Sequence, residues 1–88
     1  MKIHVKHILV NHRHEAEDLT RRLEKGDSFE ELARKYSTCP SSAEGGDLGP
    51  VDSNRLDSDF VEAAQELKSG QVSKAVRTRF GYHLIYRM

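Results

Sequence analysis

The chain opens and closes on β-type sequence and keeps its helical periodicity for the interior. At the start, Ile3, Val5, His7 and Leu9 alternate with Lys2, His4, Lys6 and Ile8, the period-two pattern of a strand. At the end, RFGYHLIYRM places His83 beside Ile85 in the same pattern. Between them, Ala16, Leu19 and Leu23 share one face of a helix over 13–25, and Gly26 is a left-handed stop. Ser28, with Glu31 three residues on, forms a capping-box pattern ahead of Phe29, Leu32, Ala33 and Tyr36 at i, i+3, i+4 and i+7. The run STCPSSAEGGDLG from Ser37 to Gly49 is a loop by composition with room for one helical turn, and Leu48–Val51 has the makings of a short strand. Asp57 or Ser58 caps a third helical stripe of Phe60, Ala63, Ala64 and Leu67 that Gly70 closes. Two β-type segments, 72–78 and 82–88, flank a hairpin connection at Arg79-Phe80-Gly81. Strands at both ends with helices between them predict an α+β fold with an antiparallel sheet covered by helices.

A chain of 88 residues, with no repeat or linker, is one domain, 1–88. Its 14 basic and 14 acidic side chains cancel, which leaves no electrostatic footprint for nucleic acid or an anionic membrane. The opening MKIHVKH is no signal peptide, and no run approaches the roughly 18 apolar residues of a membrane span. The expectation is a cytoplasmic monomer, or an envelope or secreted location if the sequence is excised from a longer protein. Cys39 is the only cysteine, so no internal disulfide forms and packing must supply the stability.

Each chemically interesting residue has a plain reading beside a functional one. His7 alone would be a core histidine satisfied by one hydrogen bond. If the terminal strands are neighbours, His7 and His83 approach each other, and two inward histidines make a shared polar site. Cys39 is either a small buried hydrophobe or a reactive thiol. Thr78 has good β-propensity, while Leu56 and Phe60 suit a core. His4, His12 and His14 fall on or near the polar side of the first strand, and no Cys/His pair has zinc-ligand spacing.

The run FEELARKYSTCPSSAEGGDLG from Phe29 to Gly49 resembles the signature of the parvulin family of peptidyl-prolyl cis-trans isomerases. So do HILV near the start, F-x-x-A-x-x-L-x-x-G-x-V-S from Phe60 to Ser73, and FGYHLI at the end. The resemblance spans nearly the whole chain, in order. It implies the parvulin (FKBP-like) fold, a four-stranded antiparallel sheet surrounded by four helices in the order β-α-α-α-β-α-β-β, with the third helix a short turn inside the long loop. It also implies catalysis of X-Pro bond rotation in unfolded or flexible polypeptides, with no cofactor and no metal. By the same resemblance, His7 and His83 are the paired active-site histidines, Cys39 the central thiol of their network, and Thr78 the hydroxyl partner. Leu48, Leu56 and Phe60 are the proline pocket. A noncatalytic parvulin-like module that binds extended chains is the alternative.

Two departures bear on specificity. The connection after the first strand is only Asn11-His12-Arg13-His14, and its single arginine offers little to a phosphate, so non-phosphorylated X-Pro is expected. After GDLG the chain reads PVDSNRL where the family often has aromatic residues and an R-G-x-M element. Asp52, Asp57 and Asp59 then predict a polar rim that favours a basic residue near the proline.

Overall fold

Each helix begins and ends where its capping groups dictate. The computed structural model describes residues 2–88, and α1 runs Arg13–Glu24, α2 Phe29–Tyr36 and α3 Ser58–Glu66. Helix α1 closes on a Schellman turn, with the Gly26 N–H donating to the Leu23 carbonyl at 3.0 Å and the Asp27 N–H to that of Arg22 at 3.1 Å. Ser28 caps α2 by accepting from the Glu31 N–H, and Asp57 caps α3 by accepting from that of Asp59. Gly70 does not end α3. The helix stops at Glu66 because the Arg87 guanidinium takes its final carbonyls, those of Ala64, Gln65 and Leu67, at 3.0–3.2 Å. The third helix implied by the parvulin resemblance is a 3-10 turn, Pro40–Glu44, inside the long loop, and a second such turn spans Ser53–Arg55.

The strands are β1 Lys2–Val10, β2 Asp47–Asp52, β3 Val76–Thr78 and β4 Gly81–Arg87. They form one antiparallel sheet in the order β2-β1-β4-β3, so the first and last strands are its central pair, from Val5 opposite Arg87 to Val10 opposite Tyr82. Pro50 lies on the edge strand β2, where its missing N–H costs least. The segment expected as one strand over 72–78 is paired continuously only over Val76–Thr78, with a lone bridge at Val72. The reason is Ser73, whose hydroxyl accepts the Ile85 N–H at 3.0 Å and so replaces a carbonyl of the ladder.

Both faces of the sheet are covered. Ile8, Val10 and Leu84 pack against Ala16 and Leu19 of α1 and against Phe29, Leu32 and Ala33 of α2. Ile3, Val5 and Ile85 face Phe60 and Ala64 of α3. Ile8, grouped with the polar set by simple alternation, is therefore wholly buried, and the strand carries two apolar faces. Lys6 shares its face but sits at the rim, paired with Glu30 at 3.3 Å.

Candidate active site

Strand periodicity places His7, His83, Leu9 and Ile85 on the face that α3 covers. His7 lies opposite Ile85 and His83 opposite Leu9, so the two imidazoles are diagonal neighbours across the central strand pair. Their rings stack at 5.3 Å and 17°, both edge-on to Phe60, with the two Nδ1 atoms 3.1 Å apart. The outer nitrogens are held as well. His83 Nε2 lies 2.7 Å from Thr78 Oγ1, which also accepts the Phe80 N–H at 3.2 Å, and His7 Nε2 lies 3.2 Å from Ser41 Oγ.

Burial, and secondarily the nearby His83, pushes the His7 pKa down from 6.5 to about 4. Burial also lowers that of His83, against the opposing pull of Asp57. Both rings are therefore neutral at neutral pH. A hydrogen bond between two neutral Nδ1 atoms needs one donor and one acceptor, so the rings hold opposite tautomers. If His7 donates, its Nε2 accepts from Ser41 while His83 Nε2–H donates to Thr78; if His83 donates, both outer bonds reverse.

The loop carrying Cys39 and Ser41 is tied to β1 at both ends. At its start, the Thr38 N–H donates to the Leu9 carbonyl at 2.8 Å, and Ser37 Oγ accepts the Leu9 N–H at 3.0 Å. At its end the His7 N–H donates to the Gly46 carbonyl at 2.9 Å. Gly46 has φ +86°, and a Cβ there would stand 2.3 Å from the His7 carbonyl oxygen, so only glycine allows this approach.

Above the imidazoles opens a cleft of about 360 Å³. His7, Cys39, Leu48, Leu56, Phe60 and His83 all line it, six of the seven residues named from sequence. Thr78 does not; it is buried behind His83 and positions that ring. Cys39 faces the cleft, but the hydroxyl bonded to His7 belongs to Ser41. Sequence reasoning missed Ser41, which no periodicity marks, and Phe80, which stands 58% exposed at the rim. Leu9, also in the lining, was legible from its alternation with His7. Of the three rim aspartates only Asp57 lines the cleft, and Arg55 lines it too, which removes the basis for a preference for basic residues.

Among the described residues, no group of three His, Cys, Asp or Glu side chains is placed to hold a metal, and no helix is long and apolar enough to cross a membrane.

The chain is 46% identical over 85 residues to the foldase protein PrsA of Bacillus subtilis, covering 96% of this chain and 29% of that one. It superposes on the crystal structure of a Bacillus anthracis peptidylprolyl isomerase, PrsA, with TM-score 0.97 at 41% identity, covering 99% of this chain and 41% of that one. It also matches a structure from work on two SurA-like chaperones of Campylobacter jejuni, the virulence factor PEB4 and the periplasmic protein Cj1289. There the TM-score is 0.90 at 36% identity, covering 98% of this chain and 37% of that one. The chain thus spans less than half the length of these relatives, and the cytoplasmic expectation finds no support among them. The family model of the rotamase, or PPIC-type PPIase, domain matches residues 7–88, which agrees with the fold and the histidine pair, and the chain belongs to that family.

Proposed function

We propose that residues 1–88 form a single peptidyl-prolyl cis-trans isomerase domain that accelerates X-Pro rotation in unfolded or flexible polypeptides, without dependence on phosphate. The observation that carries this reading is an apolar cleft standing on a pair of neutral, mutually hydrogen-bonded imidazoles.

Rotation about a peptide bond faces a barrier of about 18–20 kcal/mol, because resonance gives the C–N bond double-bond character. The planar form separates charge between oxygen and nitrogen; the twisted form does not. Leu48, Leu56 and Phe60 hold the pyrrolidine ring in a dry environment that disfavours the charge-separated planar form. Neutral imidazoles serve the same end, because a cationic ring beside the carbonyl oxygen would favour the planar amide. Each tenfold gain in rate requires about 1.4 kcal/mol of such differential stabilisation. No bond is broken, so the reaction needs neither nucleophile nor cofactor. Cys39 contributes a polarisable, weakly hydrogen-bonding wall beside the carbonyl, and Thr78 and Ser41 fix the ring orientations.

The relatives favour a foldase role within a longer envelope or secreted protein, with proline-containing chains as clients. Exchange NMR on a short X-Pro peptide tests the activity. Cis and trans resonances should broaden at substoichiometric protein, and the effect should vanish in Phe60→Ala. Shift changes without faster exchange would instead establish a module that binds and does not catalyse, for which the exposed Phe80 at the rim is suited.

A further inference from the structure

A second groove, of about 700 Å³, shares Phe80 with the proline cleft. Arg13, at the start of α1, meets Arg77 and Arg79 of the β3–β4 hairpin there, with His12 and His14 alongside and Glu17 as the one acidic side chain. The chain as a whole is neutral, so three arginines against one carboxylate is a local concentration of positive charge. Sequence distance hides it, because Arg13 and the hairpin arginines are separated by more than sixty residues.

The guanidinium groups are oriented, with only a long ion pair at Arg79, among the described residues, to offset their charge. That of Arg13 lies 5.9 Å from the Tyr82 ring centre and that of Arg79 4.9 Å from the Phe80 ring centre, cation–π contacts that restrict their rotamers. Arg79 is 78% exposed on its side chain, and its nearest carboxylate, Asp57, stands at the 4.0 Å limit of an ion pair. Arg77 is exposed. The positive end of α1 opens into the same groove and adds to its field.

We propose that this groove is an acidic-residue subsite of the isomerase, taking the Asp or Glu side chains of the polypeptide whose proline occupies the neighbouring cleft. The proposal rests on the isomerase reading above for what occupies the cleft. Phe80 lines both cavities, so an extended chain leaving the cleft passes over its ring into the arginines. At about 3.3 Å per residue, acidic side chains two to four residues from the proline reach them. The binding is carboxylate recognition by guanidinium forks, at exposed sites and therefore sensitive to salt.

The test compares X-Pro peptides with Glu, Gln or Lys at the second to fourth positions on either side of the proline, together with a phosphoserine version. At low ionic strength, kcat/KM for the Glu peptide should exceed that for the Gln peptide roughly fivefold, mainly through KM. The Lys peptide should be poorer than both, and 0.5 M salt should erase the difference. In Arg77→Gln/Arg79→Gln the ratio of Glu to Gln rates should fall to near one, while the same change at Arg34, on α2, should preserve it. Equal rates for all peptides, a ratio that survives the double variant, or a gain confined to phosphoserine would overturn the subsite. Amide shifts at Arg13, Arg77 and Arg79 on adding the Glu peptide separate the two failures. Shifts without isomerisation of any peptide would refute the isomerase reading and keep the groove; isomerisation indifferent to charge would do the reverse.

Discussion

His7 shows how one residue couples stability to chemistry. Its pKa is held near 4 by burial first and by His83 second, against 6.5 for an exposed ring. Between those values the unfolded chain binds a proton that the folded chain refuses. The stability from this site is therefore full above pH 6.5 and declines as pH falls towards 4, by about 3 kcal/mol for His7 alone. Urea titrations at neutral pH and at about pH 4.5 should show this loss, and His7→Leu should flatten the slope by that share. An unchanged slope in the variant would mean that His7 titrates normally. Catalysis should follow the same course, flat through neutrality and falling in acid as the imidazole pair gains charge.

At the scale of elements, the long loop and the end of α3 depend on single contacts. Gly46→Ala would force a methyl group into the His7 carbonyl at a positive φ, a cost of about 2–3 kcal/mol. Because that loop carries Cys39 and Ser41, isomerase activity should drop with stability. Gly26→Ala, also at positive φ but with open space around it, should cost about 1 kcal/mol and leave activity alone. Thermal melts and peptide exchange rates on both variants separate steric from conformational strain. Arg87→Ala removes the donors that satisfy three carbonyls at the end of α3, and should lower stability by about 1–3 kcal/mol in denaturant titrations. Capping patterns made α1 and α2 legible from sequence to within a residue. The end of α3 was not legible, because the group that terminates it arrives from the last strand, twenty residues away.

For the whole molecule, periodicity in the sequence places His7 and His83 inward and the family motifs mark most of the cleft, while the pairing of the terminal strands, conditional in the sequence, is given by the fold. Alternation did not mark Ile8 as buried, since the pattern on one strand cannot report what covers its back. Nor did it disclose Ser41 or the arginine groove, whose members are neighbours only after folding. The central pairing of β1 with β4 also brings the last described residue to the opening strand: the Met88 N–H donates to the His4 carbonyl at 3.1 Å. The chain therefore enters and leaves the unit at the same end of the central strand pair. Such a unit can be spliced into the loop of a larger host with little disturbance to the host's own path, as a bead is threaded by two strands at the same hole.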